Sequence, residues 1–145
     1  MNLIKRFKEE RLNRINSYKK DNDLQDSAQS FLQESIRAKY SYNFTWMGLP
    51  IIQYPQDIIA MQEIIWRVQP DLVIETGIAH GGSLIFSASM LELIGGKGQV
   101  LGIDIDIRQH NRIEIEQHPI FKRITMIEGS SIDENIVKQV CDFAK

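Results

Sequence analysis

The sequence predicts an α/β fold in which helices alternate with the strands of an open, mostly parallel, doubly wound sheet. Three short apolar runs, within residues 72–74, 99–103 and 123–127, are each followed directly by an acidic residue. Segments of helical period separate these runs, and a glycine-rich turn follows the first one. Continuous apolar runs are typical of parallel strands, because helices cover both faces of such a sheet.

Helices are also predicted before the first strand. Residues 1–20 carry seven Lys or Arg and two Glu, with apolar residues at roughly helical spacing. This basic helix either contacts an anionic membrane or a partner, or packs a thin apolar stripe on the protein, and we favour the second interpretation. A second amphipathic helix is predicted for residues 24–40. Residues 40–55, rich in aromatic residues, Gly and Pro, predict ordered loops or short strands that cover an edge of the core, rather than a pocket that includes Gln53.

The remaining elements alternate as the fold requires. Pro55 opens a helix whose inner face is predicted to carry Ile58, Met61, Ile65 and Val68. The run 72–74 is predicted to be a central strand covered on both faces. A helix over 83–94, a strand over 99–104, a polar helix ending near Glu116 and a strand over 123–128 follow.

The last predicted element is a helix from Ile132 to Phe143. Ser131 and Glu134 have the spacing of a capping box. Cys141 is expected to be buried in the packed face of this helix. Three strands leave one sheet edge bare, which predicts either a C-terminally truncated chain or a partner that covers the edge.

Two regions of one domain are therefore expected. Residues 1–54 hold the N-terminal helices and the aromatic loop, and residues 55–145 hold a ligand-binding half-domain. The chain has 145 residues, of which 43% are hydrophobic and 25% charged, enough for one modest core.

Composition also limits the function classes. The net charge of −2 gives no overall field that favours nucleic acid. The single cysteine excludes an internal disulfide and fits a reducing compartment. Neither a secretory signal nor an apolar run of about 20 residues is recognisable. We therefore expect a cytoplasmic protein without a membrane span.

The ends of the three strands carry the candidate chemistry. They supply Glu75 with Gly77, Asp104 with Asp106, and Glu128 with the Gly129-Ser130-Ser131 loop. Ligands of such sheets bind beyond the carboxyl ends of the strands, so these residues are expected to converge on one crevice.

The residue types predict a nucleoside ligand with a positively charged or polar end. Gly77, Ala79 and Gly81 allow close approach of the backbone, and Gly77 is expected to need a positive φ. Asp104 can accept hydrogen bonds from both hydroxyls of a ribose, while Glu75 or the backbone around it faces the amino-acid end of the ligand. S-adenosylmethionine is the leading candidate.

Two alternatives compete with this interpretation. A nicotinamide dinucleotide requires G-x-G-x-x-G, whereas this turn has Gly77, Ala79 and Gly81 after an acid, Glu75, that repels a pyrophosphate. A glycine turn that binds nothing, with acids that only cap helices, is less favoured because three strand ends in series carry acids.

The histidines and the spacing of possible metal ligands say less about the function. His80 either contacts a substrate or acts as a base, or is a polar turn residue, and the sequence favours neither. His110 is expected to be a residue at a helix start. No His or Cys pair has metal-ligand spacing, and Asp104 and Asp106 alternate in an extended segment, so they are not expected to share a metal.

The motif around Glu75 resembles the first motif of class I S-adenosylmethionine-dependent methyltransferases. More narrowly, about residues 44–140 resemble the cephalosporin hydroxylase family, which includes sugar O-methyltransferases. The matching pieces are Trp46-Met47-Gly48-Leu49-Pro50, Gln53-Tyr54-Pro55-Gln56-Asp57, Pro70 to Gly77, His80-Gly81-Gly82-Ser83, Gly102-Ile103-Asp104-Ile105-Asp106 with Arg108 and His110, and Ile127-Glu128-Gly129-Ser130-Ser131.

The resemblance implies the N-terminal half of a Rossmann-like methyltransferase fold that methylates an oxygen of a small molecule or sugar. Family members continue with a strand that ends in an Asp-Ser-Asp/Asn-His-like motif, so the acceptor half, the catalytic base and the ligands of any divalent metal are expected beyond this chain. A homo-oligomer and a non-catalytic scaffold fragment stay open. The implied cofactor residues are Glu75, Thr76, Gly77, Ala79, His80, Gly81, Gly82, Ser83, Asp104, Asp106, and Ser130 or Ser131 near the adenine.

Overall fold

A computed structural model describes residues 2–145, whose contacts form two compact units that divide after Tyr40. The first unit contains the helices α1 (Leu3–Tyr18) and α2 (Asn22–Arg37). Asn2 and Asp21 cap them by accepting hydrogen bonds of 3.0 Å from backbone N–H groups in the first turn. The predicted helices are confirmed, and no residue of α1 is buried.

The aromatic segment forms a hairpin of short strands, as predicted. β1 (Phe44–Trp46) pairs antiparallel with β2 (Leu49–Ile51), and the residues between them have positive φ. Leu49 and Ile51 are buried, and the ring of Trp46 stands edge-on to Phe86 at 4.9 Å. The hairpin therefore belongs to the same compact unit as the sheet, and this division at Tyr40 differs from the predicted boundary at 54/55.

Helices and strands alternate through the second unit in the predicted order. The elements are α3 (Pro55–Val68), β3 (Leu72–Thr76), α4 (Gly82–Ile94), β4 (Gln99–Asp104), α5 (Gln109–Gln117), β5 (Ile124–Glu128) and α6 (Glu134–Phe143). None of the helices within residues 2–145 has the length and apolar character needed to cross a bilayer.

The three strands of the second unit form a parallel sheet in the order β3-β4-β5. Within residues 2–145 the run 72–74 lies at an edge of the sheet and not in its centre as predicted, because consecutive strands lie side by side and the second of them, β4, takes the middle. Within these residues the outer edge of β3 is therefore unpaired, and the side chain of Ile74 is 47% exposed. The parallel register aligns the carboxyl ends, with Glu75 opposite Gly102 and Asp104 opposite Glu128.

Helix α4 is the main partner of the sheet. Nine of its residues are buried, among them Leu84, Ile85 and Phe86. Gly102 in β4 permits this close packing, because a Cβ there would lie 2.9 Å from side-chain atoms of Ile78 and Leu84. Leu101, Ile103 and Ile136 form a second, smaller cluster of buried residues. The sheet thus holds its carboxyl edge on a rigid support.

Three local predictions are wrong in whole or in part. On α3, Ile58 and Ile65 pack against the core as predicted, but Met61 and Val68 are exposed because only one edge of this helix packs inward. Helix α6 starts at Glu134 and is capped by the Asp133 carboxylate, which accepts from the N–H groups of the two residues after Glu134, so no Ser131–Glu134 capping box forms.

Cys141 is exposed rather than buried. The packed face of α6 runs through Ile136 and Val140. The next residue along an α-helix is rotated by roughly 100°, which turns Cys141 away from that face.

Candidate ligand-binding site

The loop that joins β3 to α4 is a compact turn over residues 77–81. Gly77, Ala79 and Gly81 have φ of 80°, 45° and 84°, and the expected positive φ of Gly77 is confirmed. The N–H of Gly77 donates to the carbonyl of Ile103 at 2.8 Å, and that of Gly81 to Ile78 at 2.7 Å. This loop conformation is fixed by hydrogen bonds at both of its ends.

The carboxylate of Asp104 holds the same loop from the end of β4. Its Oδ2 accepts from the N–H of Ile78 at 2.8 Å and from the N–H of Ala79 at 3.4 Å. Its Oδ1 accepts from the N–H of Asp106 at 3.2 Å. Asp104 therefore organises the loop, a role that the sequence did not predict.

Glu75 lies at the end of β3 and is partly buried. The hydroxyl of Ser83, in the first turn of α4, donates a hydrogen bond to its Oε1. Burial raises the pKa of the Glu75 carboxyl above its ordinary value, and the hydrogen bond from Ser83 opposes this shift in part. The strand end thus presents a carboxyl group whose ionised form a cationic neighbour would stabilise.

Apart from Gly81, the predicted site residues line three adjoining cavities that share residues. The first cavity shares Ala79 and His80 with the second, and Thr76 and Gly77 with the third. Their volumes are about 340, 390 and 290 Å³. The first contains Glu75, Thr76, Gly77, Ala79, His80, Gly82 and Ser83; the second Ala79, His80, Asp104 and Asp106; the third Thr76, Gly77, Asp104, Ser130 and Ser131.

Two glycines of the motif serve packing. A Cβ at Gly81 would lie 2.4 Å from Ile115 of α5, and one at Gly82 would lie 2.2 Å from the backbone oxygen of Pro50 in β2. Gly81 lines none of the three cavities, in contrast to the expected approach of its backbone to a ligand. A Cβ at Gly77, by comparison, would meet no atom within 4 Å.

Sequence reasoning missed Asn111. This residue of α5 is buried, donates from Nδ2 to the carbonyl of Ala79 at 2.8 Å, and places Oδ1 3.2 Å from Nδ1 of His80. The available signal was its spacing of four residues from Ile115, which puts both on one inward helix face.

Glu128, the third strand-end acid, is paired. Arg112 Nη2 lies 2.8 Å from its Oε2, so this carboxylate forms a salt bridge at the rim. His110 is exposed in the first turn of α5, as expected for a residue at a helix start. Within residues 2–145, no three His, Cys, Asp or Glu side chains are grouped closely enough to hold a metal ion.

Two named sequence relatives match part of the chain. A 61-residue match of 41% identity links the chain to a rhamnosyl O-methyltransferase of Mycobacterium leprae (strain TN), covering 42% of this chain and 27% of that protein. The Mycobacterium tuberculosis H37Rv protein of the same name is 32% identical over 99 residues, 66% of this chain and 38% of its own length. The chain spans less than half the length of these curated relatives.

Solved structures share the fold. The apo form of CmcI-N160 superimposes with a TM-score of 0.55 at 23% identity, over 68% of this chain and 40% of that one. The Mg-SAM form of CmcI-D160 superimposes with a TM-score of 0.55 at 24% sequence identity, over 67% of this chain and 40% of that one. The expected Rossmann-like methyltransferase fold is therefore confirmed. The model of the rhamnosyl O-methyltransferase/CmcI family matches residues 38–145, and the chain belongs to that family.

Proposed function

We propose that this chain binds S-adenosylmethionine around the turn 77–81 and forms the cofactor-binding part of an O-methyltransferase. The observation that carries the proposal is the fixed turn itself, with open space beside Gly77 and cavities next to it. Family membership supports it, since the sequence relatives are named for O-methylation and a CmcI structure is named for its Mg-SAM complex.

The first cavity suits the amino-acid end of the cofactor. The leading N–H groups of α4 have no acceptor within the helix, so they attract a carboxylate, and the Ser83 hydroxyl lies among them. The Glu75 carboxyl suits an ammonium group. Phe86 and Pro50 add apolar walls.

The second and third cavities suit the nucleoside. The side chain of Asp106 is exposed in the second cavity and accepts no hydrogen bond from the described chain, whereas Asp104 is engaged by backbone donors. We therefore assign the ribose hydroxyls chiefly to Asp106, with spare acceptor positions on Asp104. Ser130 and Ser131 in the third cavity are assigned to the adenine.

Bound S-adenosylmethionine supplies an electrophilic methyl group, and the chain contributes its orientation. The names of the relatives favour a sugar hydroxyl as the methyl acceptor, with another small-molecule hydroxyl as the broader class. A divalent metal does not fit residues 2–145, which group too few candidate ligands, so no step here depends on one.

Isothermal titration calorimetry with S-adenosylhomocysteine tests the proposal. We expect saturable binding to the wild type, weaker binding to Asp106→Asn, and unchanged binding to Asp71→Asn, which alters an exposed acid just before β3 at the opposite end of the sheet. Binding of NAD⁺ in place of S-adenosylhomocysteine would support the dinucleotide alternative. Binding of neither ligand would contradict both.

A further inference from the structure

The amide of Asn111 has only one orientation that satisfies its neighbours. The carbonyl oxygen of Ala79, 2.8 Å away, can only accept a hydrogen bond, so the amide group facing it is the NH₂. The other amide atom, Oδ1, then faces Nδ1 of His80 at 3.2 Å. Because Asn111 is 7% exposed, water does not offer it alternative partners.

This orientation decides the position of the proton on His80. An amide oxygen only accepts, so Nδ1 of His80 carries the hydrogen. A neutral imidazole has one N–H, which leaves a lone pair on Nε2. Nε2 makes no hydrogen bond to residues 2–145, and His80 lines the first cavity together with Glu75 and Ser83.

The fold holds another histidine in the opposite form. Nδ1 of His118 accepts from the backbone N–H of Ile120 at 3.3 Å, and its Nε2 lies 3.2 Å from the carbonyl of Met47. His118 therefore carries its proton on Nε2. The ring nitrogen NMR signals of His80 and His118 can therefore be compared within one sample.

We propose that Asn111 is a positioning residue that keeps His80 in the Nδ1–H form, so that Nε2 accepts a hydrogen bond from the ammonium group of the bound cofactor. The inference rests on the proposed function, because the cofactor supplies the donor. Glu75 in the same cavity supplies the negative charge, and His80 supplies a neutral acceptor of fixed direction. The chain Ala79 carbonyl, Asn111 amide, His80 ring then links the loop backbone to the ligand.

The ring nitrogen signals of the ligand-free protein test the first half of the inference. At a pH where imidazoles are neutral, ¹⁵N-edited NMR is expected to show His80 protonated on Nδ1 and His118 on Nε2. Asn111→Leu removes the acceptor that faces Nδ1 and is expected to let His80 exchange between its two neutral forms. A wild-type His80 protonated on Nε2 overturns the inference whether or not the cofactor binds.

Calorimetry with two ligands tests the second half. S-adenosylhomocysteine carries the ammonium group, and methylthioadenosine lacks the whole amino-acid part. We expect His80→Phe to weaken S-adenosylhomocysteine binding about tenfold more than methylthioadenosine binding, the size of one hydrogen bond to a charged group. Equal losses for both ligands, or no loss, overturn the inference. A wild type that binds neither ligand contradicts the proposed function itself.

Discussion

The carboxylate of Asp104 accepts a hydrogen bond of 2.8 Å from the backbone N–H of Ile78, so the central strand holds the loop that follows the edge strand. A second N–H, from Ala79, shares the same oxygen at 3.4 Å. Ala79 has a φ of 45°, a conformation that costs free energy for a residue with a side chain. Asp104 therefore stabilises a turn that the local sequence alone does not favour.

Replacing Asp104 is expected to reduce stability, and replacing Asp106 is expected to affect only the ligand. Asp104→Ala removes the acceptor of two backbone N–H groups and should lower the free energy of unfolding by about 1–3 kcal/mol. Asp106→Ala removes an exposed side chain and should change it by less than about 0.5 kcal/mol, while weakening S-adenosylhomocysteine binding. Urea denaturation and calorimetry measure the two effects. Equal stability losses would contradict the role of Asp104.

Gly77→Ala and Gly96→Ala form a matched pair. Both glycines have positive φ, 80° and 76°, and both have open space where a Cβ would lie. Each substitution should cost about 1–2 kcal/mol of folding free energy from backbone strain. Only Gly77 lines the candidate site, so only Gly77→Ala is expected to weaken ligand binding in calorimetry. A similar loss of affinity in Gly96→Ala would show that strain, not position, causes the effect.

Gly82→Ala is expected to destabilise the ligand-free protein. The new Cβ would lie 2.2 Å from the carbonyl oxygen of Pro50, and backbone atoms cannot move aside as a flexible side chain can. Thermal unfolding without ligand should show a clear drop of the midpoint, equivalent to about 1–3 kcal/mol or more. An unchanged midpoint would mean that α4 and the hairpin do not pack as described.

The raised pKa of Glu75 predicts a pH-dependent stability of definite sign. Because the folded-state pKa lies above the unfolded value, near 4.5, the protonated carboxyl is favoured in the folded protein. The stabilising contribution is complete below the unfolded pKa and is lost as the pH rises through the folded pKa. Urea denaturation should show that the wild type loses stability over this window relative to Glu75→Gln. The opposite slope would contradict the burial of Glu75.

The alternation of helices and strands could be predicted because each element carries its own period or apolar run. The turn between β3 and α4 could be predicted for the same reason, since its glycines and its acid are contiguous. Strand order was harder: the run 72–74 is as apolar as a central strand, yet its place at the edge depends on which strands pair with it.

Long-range side-chain contacts could not be predicted. Asp104 reaches the loop across 26 residues and Asn111 across 32, and no local pattern records either contact. Arg123 is a similar case: it begins an apolar run, yet it is buried and donates to the carbonyls of Gly98 and Gly96. Each contact joins residues that come together only in the folded chain.

The most direct test of the proposed cofactor site is an NMR titration of the protein with S-adenosylhomocysteine, followed through its backbone amide signals. We expect the largest shifts at Gly77, Ala79 and His80, with further shifts at Asp106 and Ser130. Shifts confined to the apolar cavity lined by Trp66, Met90 and Leu93, or no shifts at saturating ligand, would contradict a cofactor site at the carboxyl edge of the sheet.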